Sequence, residues 1–338
     1  MSDSSFEPAT SDPGRAIAPE LARAPAPEAG TALAPGAPQP QRRISNVRTR
    51  LVTAAVVIPP VVWLIAAGGL WMLGAVIVII VLGLREFYQL IEEKGAHPLK
   101  GYGLAGGVAL PVVAYLGNEY HATILMTAVL LGVMVAQLGK RQITEALASV
   151  SGTFFGVFYV GWLMSHAIVL RQFHDVVAAK WGGAVAARID PGAGIFYLLF
   201  AAVAVVACDA GAYFSGRAYG RRKLAPAVSP GKTVEGAIGG LVAGTLGGAV
   251  VKLAFDLVWP ALSSALDWGA AIGFGACVAV AGMVGDLVES LLKRDAHTKD
   301  TGDLLPGMGG ILDRIDSALL GIPVMYYLLL AHTFVRNF

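Results

Sequence analysis

WGAAIGFGACVAVAGMVGDLVE, residues 268–289, decides the fold. Eighteen uncharged residues, Trp268 to Gly285, precede the first acid, Asp286. An α-helix rises 1.5 Å per residue, so about 20 apolar residues cross the ~30 Å hydrocarbon core of a bilayer. The run therefore reads as a membrane helix carrying Asp286 and Glu289 at one end. Outward from it, eight further apolar runs follow the same rule, at 50–68, 70–84, 102–117, 122–138, 150–170, 194–213, 234–255 and 317–335. The expected fold is all-α: a polytopic membrane helix bundle of about nine transmembrane helices. The second and third runs are short, and Pro59-Pro60 is expected to kink the first.

Composition agrees. The 338 residues are 56% hydrophobic and 14% charged, with a mean hydropathy of +0.65, where a soluble domain carries roughly 25% charged residues. A net charge of +2 with no single basic patch is too small to imply a nucleic-acid partner, and none is expected. Cys208 and Cys277 lie in or beside apolar runs without metal-ligand spacing and read as packing residues. Residues 1–46, rich in Ala, Pro, Ser and Glu, read as a disordered cytoplasmic tail. The tail lacks the continuous apolar stretch of a secretory signal, so the first helix is expected to stay in the mature protein. Residues 47–338 form the transmembrane domain.

Orientation follows from Lys and Arg, which are enriched in cytoplasmic loops. With the N-terminus inside, 20 of the 25 basic residues fall on cytoplasmic segments, leaving Arg171, Lys180, Arg188, Lys252 and Arg336 outside or near it. Nine helices with N-in and C-out fit that asymmetry. The segments Asp209–Thr233 and Asp286–Asp316 then open on the same cytoplasmic side.

Asp286 and Glu289 share a helix face at i and i+3, as do Asp313 and Asp316 where the last helix begins. An acid at membrane depth costs ~2.5–3.5 kcal/mol on insertion scales, so it faces a cavity, an ion or a partner. Between the two pairs lie Lys293, Arg294, Asp295, His297, Lys299, Asp300 and Asp303, and then Gly309 and Gly310. Hard oxygen donors beside bases and glycines suit Mg²⁺ and a nucleotide. Two ions about 3.5–4 Å apart would stabilise both oxygens of a phosphoryl displacement. A solvated charge run explains 293–303 equally well, and His297 alone is weak evidence. Upstream, Asp209 is followed by Arg217, Arg221, Arg222, Lys223, Ser229, Lys232 and Thr233, a phosphate cradle if a helix starts near Thr233. Gly231-Lys232-Thr233 is no Walker A motif, since Pro226 occupies the required glycine position. Gly236, Gly240, Gly244 and Gly248 have the spacing of close helix packing in lipid. Arg85-Glu86-Phe87-Tyr88 reads as structural, an ion pair with aromatic anchors at the membrane surface.

Ser290, Lys293, Arg294, Lys299, Asp300, Pro306, Gly309, Gly310, Asp313, Arg314 and Asp316 together resemble the signature of the phosphatidate cytidylyltransferases, membrane CDP-diacylglycerol synthases. The blocks Asp209–Phe214 and Ser229–Gly236 resemble family segments too. Two positions depart: Met308 stands where the family usually has His, and Gly231 where it often has Lys. The resemblance implies that CTP and phosphatidic acid give CDP-diacylglycerol and pyrophosphate at the cytoplasmic face of the inner membrane. It implies catalytic roles for Asp286, Lys293, Arg294, Lys299, Asp300, Asp313, Arg314 and Asp316. It implies substrate contacts for Asp209, Ser229, Lys232, Thr233, Gly309 and Gly310. Mg²⁺ is expected on Asp286, Asp313 and Asp316, in a two-metal site whose second ion the residues do not identify. Membrane lipids are partners and a homodimer is an open option. Two other readings stay open: a CTP-dependent polyprenol or phytol kinase, which releases CDP instead of pyrophosphate, and an ion-coupled secondary transporter, which predicts inverted repeats.

Overall fold

The computed structural model describes residues 47–117, 119–140, 144–298, 301–302 and 309–338. The expected tail at 1–46 and the positions Lys299, Asp300 and Met308 lie outside the described residues. All nine apolar runs are helical: α1 Val47–Ala67, α2 Gly69–Glu93, α3 Lys100–Tyr115, α4 Glu119–Leu138, the continuous helix made of α5 Ala146–Gly156, a π-helical segment Val157–Trp162 and α6 Leu163–Arg171, then α9 Ala193–Tyr219, α10 Val234–Val258, α12 Trp268–Asp295 and α13 Leu312–Asn337. The shorter α7 Phe173–Trp181, α8 Gly183–Ala186 and α11 Pro260–Ser263 connect them. Strands β1 Lys223–Ala225 and β2 Ser229–Thr233 pair as an antiparallel ribbon, with Lys223 opposite Thr233 and Ala225 opposite Ser229.

Seven of these helices are long and apolar enough to cross a membrane. The chain is an integral membrane protein with an all-α membrane domain. Two of the nine expected spans fall short of that standard. Helix α3 has 16 residues, and the apolar described part of α1 is Ile58–Ala67.

Several helices run past the apolar limits that sequence alone suggests. Helix α2 continues nine residues beyond 84, α12 six beyond 289, and α13 starts at Leu312 instead of 317. Intrahelical bonds form in water as in lipid, so a helix stops where its backbone turns, not where its side chains become polar. After α2 the turn is Gly95 at φ 84°; after α12 it is His297 at φ 58°, the sole non-glycine residue with positive φ among the described residues. His297 N–H donates to Arg294 O at 3.1 Å and Thr298 N–H to Lys293 O at 3.0 Å, the paired bonds of a left-handed helix stop.

The glycine stripe is a packing seam. Gly236, Gly240, Gly244 and Gly248 are all buried on α10, and a Cβ at Gly244 would lie 2.8 Å from Ala204 O of α9. The backbones of α9 and α10 thus approach closely, as small residues permit in lipid. The opposite face of α10, with Ile238, Val242, Leu246 and Val250, is exposed, as a lipid-facing surface requires.

Charged contacts sort into two ends of the bundle. At one end, Lys94 pairs with Asp295 at 2.9 Å, tying α2 to α12, and Arg294 Nε donates to Val228 O in the ribbon at 3.3 Å. At the other, Arg171 Nε donates to Ile65 O at 2.8 Å, Arg188 to Asn337 at 2.7 Å and Arg336 to Ala265 O at 3.1 Å. Lys252 pairs there with Asp256 and lies 5.7 Å from the Trp268 ring. Trp181, beside Lys180, meets the Phe338 ring. The five basic residues set apart by the loop-charge argument therefore gather at one end.

Glu86 is not the surface ion-pair residue that its neighbours suggest. It is 6% exposed and reaches the start of α13, accepting from Ile311 N–H at 2.9 Å, Leu312 N–H at 2.8 Å and Thr301 Oγ1 at 3.3 Å. A carboxylate at a helix N-terminus satisfies orphan amides and opposes the helix dipole. Glu86→Ala leaves two amide donors without an acceptor, and we expect a loss of about 2–6 kcal/mol at 1–3 per orphaned group. Thermal unfolding in detergent checks this: the midpoint should fall for Glu86→Ala and fall less for Glu86→Gln, whereas an unchanged midpoint for the alanine variant would refute the capping role.

Candidate functional site

Helices α12 and α13 cross where Gly285 faces the backbone of Asp316; a Cβ at Gly285 would collide with Asp316 O. Glycine there brings the two acid-bearing helices together. Asp286, Glu289 and Asp316 each offer a carboxylate oxygen, and these atoms all lie within 4.8 Å of one another. Glu289 is the fully buried member of the group. Three converging hard-oxygen donors match the donor set that Mg²⁺ or a similar divalent cation takes.

Asp313 stands outside that group. Its carboxylate meets Lys293 Nζ at 2.7 Å and accepts from Gly310 N–H at 3.0 Å and Thr301 N–H at 3.2 Å. Lys293 also contacts Glu289 at 3.2 Å, so it bridges the two halves of the acid array. Of the three residues expected to share a metal, the fold brings Asp286 and Asp316 together with Glu289 and engages Asp313 with Lys293. The glycines beside Asp313 have physical reasons. Gly309 sits at φ 83°, and a Cβ on Gly310 would lie 2.8 Å from Glu86 Cδ.

The upstream block reaches the same place. Lys232 Nζ lies 2.7 Å from Asp286 Oδ2, and a cavity of about 660 Å³ is lined by Asp209, Arg217, Ser229, Lys232, Thr233 and Asp286 among others. Thr233 starts α10 as expected, its Oγ1 accepting from Gly236 N–H at 3.1 Å in an N-cap. The ribbon holds the block rigid: Glu235 accepts from Arg221 N–H at 3.0 Å and Arg222 N–H at 3.2 Å, while Lys223 Nζ donates to Pro230 O at 2.7 Å. Ser290 Oγ donates to Asp286 at 3.4 Å. Arg294 and Arg314 are exposed at the same end. The chemistry this supports is the binding of phosphates, with basic and hydroxyl groups on one wall and a carboxylate cation site on the other.

A second cavity, about 550 Å³, includes Trp162, Ser165, His166, Lys180, Tyr326 and Tyr327 in its lining. His166 is held by Trp162 O at 2.9 Å and Tyr327 Oη at 3.1 Å. Among the described residues no carboxylate lines it.

Reasoning from sequence paired Glu289 with Asp286 without assigning it to the metal, read Glu86 as a surface ion pair, placed Arg217 in the phosphate cradle and gave Tyr213 no role; all four stand in or against the site. Glu289 had a signal, its i, i+3 spacing from Asp286. Arg217 and Tyr213, joined by a 3.0 Å hydrogen bond, share a helical face with Asp209 at intervals of four. Glu86 had no local signal, because its partners come from the far end of the chain.

Residues 48–332 match the model of the cytidylyltransferase family. A phosphatidate cytidylyltransferase of Synechocystis is 31% identical over 293 residues, which cover 82% of this chain and 94% of that protein. A phosphatidate cytidylyltransferase of Brucella suis is 32% identical over 283 residues, 84% of this chain and 93% of the relative. One from Haemophilus influenzae is 45% identical over 142 residues, 41% of this chain and 47% of its own. With a family match across nearly all of its membrane domain and relatives aligned over most of both chains, the protein belongs to the cytidylyltransferase family.

Proposed function

We propose that this chain is a phosphatidate cytidylyltransferase, converting CTP and phosphatidate to CDP-diacylglycerol and pyrophosphate. The observation that carries the reading is the meeting of two distant blocks in one cavity, with Lys232 of the ribbon 2.7 Å from Asp286 of α12. A phosphatidate oxygen attacks the α-phosphorus of CTP, the bond from that phosphorus to the bridging oxygen breaks, and pyrophosphate leaves with the electron pair. The nucleophile is already an anion, so no residue is required to remove its proton. Lys232, Ser229, Thr233 and Arg217 bind and neutralise phosphate oxygens, and Asp209 orders the cavity wall. Lys293, fixed by Asp313, holds positive charge beside the acid group, with Arg294 and Arg314 at the rim and Lys299, Asp300, Gly309 and Gly310 in the same connection. Asp286, Glu289 and Asp316 would hold Mg²⁺, which when bound polarises phosphoryl oxygens. A second ion would require Asp313 to release Lys293. The diacyl chains remain in lipid.

Mass-spectrometric product analysis with CTP, phosphatidate and Mg²⁺ tests the reading. CDP-diacylglycerol and pyrophosphate are expected; CDP with a phosphorylated lipid alcohol would instead identify a kinase. Chelation with EDTA is expected to abolish turnover. Asp286→Asn and Asp316→Asn should each lower kcat/KM by at least about 100-fold, since even outer-shell partners of a metal are worth 10–100-fold. Undiminished turnover in both variants would sink the assignment.

The topology we infer has nine membrane helices, α1 and α3 included, with the N-terminus inside, the C-terminus outside and the site facing the cytoplasm across the inner membrane. Loop charge supports it. In a background of Cys208→Ala and Cys277→Ala, Arg221→Cys should react with an impermeant maleimide in inverted vesicles and stay unlabelled in intact spheroplasts. The opposite pattern would reverse the orientation.

A further inference from the structure

Tyr326 and Tyr327 of α13 line the cavity of about 550 Å³ that the reaction proposed above leaves unused. It shares no lining residue with the cavity beside the acid group, and Tyr327 follows Asp316 by eleven residues, about 16 Å along a helix. Its walls come from α3, α4, the π-helical segment, α6, α7 and α13. Its volume is that of a ligand site, ~300–1,000 Å³.

The inner wall is held in one arrangement by hydrogen bonds. A π turn re-aims the side chains around it, and such turns are rare and concentrate at functional sites. The one π-helical stretch among the described residues, Val157–Trp162, ends on Trp162, whose ring meets His166 edge-on with centroids 5.6 Å apart. His166 is 5% exposed. Its Nδ1 donates to Trp162 O at 2.9 Å, because a carbonyl only accepts; in the neutral ring Nε2 then accepts the Tyr327 hydroxyl proton at 3.1 Å. Ser165, also buried, donates to Gly161 O at 2.7 Å. This wall therefore presents rings and oxygen lone pairs, and it carries no net charge.

Lys180 supplies the charge. It is exposed on α7 and lines the same cavity, where no carboxylate opposes it among the described residues. Leu110, Ala114, Val169, Val176 and Leu330 make the rest apolar. A cation at one side, apolar walls at the other and Trp and Tyr rings between them repeat the layering of a membrane interface, where lysine reaches for the head groups and aromatic rings lie level with them. Trp181, next to Lys180, meets the Phe338 ring just beyond α13, which puts Lys180 at the end of the bundle away from the acid group.

We propose that this cavity binds one anionic phospholipid, with its phosphate at Lys180 and an acyl chain along Leu110, Val169 and Leu330. A zwitterionic lipid fits the same walls but brings its own ammonium group toward Lys180, so the cavity prefers the anionic one. Lipid that merely coats exposed faces such as Ile238 and Val242 of α10 meets no charge and has no such preference.

The probe is phosphatidylglycerol brominated on its acyl chains, which quenches tryptophan fluorescence on contact; brominated phosphatidylcholine is the comparison. The full chain is titrated in mixed micelles, and the Trp162 signal is the difference between wild type and Trp162→Phe. Half-quenching of that signal should need about fivefold less phosphatidylglycerol than phosphatidylcholine, the worth of one lysine beside an anionic lipid. Lys180→Gln should erase the ratio, with a wild-type thermal midpoint in the absence of added lipid, and Arg336→Gln, which alters a basic residue outside the cavity, should keep it. Without any tryptophan change, unbrominated phosphatidylglycerol should raise the thermal midpoint of the wild-type chain more than phosphatidylcholine does. Equal half-quenching or equal midpoint shifts for the two lipids overturn the proposal, as does an unquenched Trp162. Loss of the ratio in Arg336→Gln would also overturn it, making the preference one of the whole basic surface. Reversal of the phosphatidylglycerol quenching by inorganic phosphate would identify a site for free anions instead of a lipid.

Discussion

Glu86 holds the N-terminus of α13, and the site depends on that contact. A carboxylate on α2 takes the Ile311 and Leu312 amides and the Thr301 hydroxyl, so the end of one membrane helix fixes where another begins. Because α13 starts there, Asp313 and Asp316 fall in its first turns, one engaged by Lys293 and the other facing α12. Moving α13 by a single residue would rotate its side chains by about 100°, given 3.6 residues per turn, and would carry Asp316 away from Asp286 and Glu289. The buried charge is tolerable because three donors satisfy it; a carboxylate without them would be far more costly at that depth.

Small residues supply the remaining geometry. Lipid gives helices no hydrophobic reason to associate, so close backbone approach has to come from side chains that are nearly absent. The α10 stripe lets α10 lie against α9 and brings Thr233 and Lys232 to the end of α12. Gly285 lets α13 lie against α12 and brings Asp316 to Asp286. The bundle therefore converges on the same end from two seams, one per functional block. The ribbon between α9 and α10 adds stiffness that helices cannot, since its backbone bonds and the Glu235 clamp hold Lys232 without any apolar core.

Much of this was legible in the sequence because membrane physics is one-dimensional. Apolar run length located the seven helices long enough to cross a membrane and two shorter apolar ones, and the 3.6-residue period put Asp286 beside Glu289 and the four glycines in one seam. The site block from Asp286 to Asp316 stood out because charge is expensive in lipid and must have a reason. What stayed hidden depended on contacts between distant segments. Glu86 and Leu312 are 226 residues apart, and nothing near Glu86 announces a cap for another helix. The exchange of Asp313 for Glu289 in the acid group was hidden for a related reason. Both have the spacing of a ligand, and only the position of Lys293 separates them. The ribbon was missed because three- and five-residue strands carry too little alternation to read, and the π segment because its residues differ from ordinary helix formers in nothing but their packing.

Charge balance ties these pieces into one chemical requirement. Five carboxylates, Asp209, Asp286, Glu289, Asp313 and Asp316, face or adjoin the site, against two lysines in direct contact with them. Lys232 meets Asp286, and Lys293 is divided between Glu289 and Asp313. Asp316 and Asp209 are left with no basic partner among these contacts. Burying uncompensated negative charge is among the most costly arrangements in a protein interior, and a third lysine would have been the simple remedy had stability been the only demand. A divalent cation answers the same deficit and adds what a lysine lacks, open coordination positions for phosphate oxygens. Arg294 and Arg314 are exposed at the rim, where in the proposed reaction they would meet incoming phosphate without filling the space among the three acids.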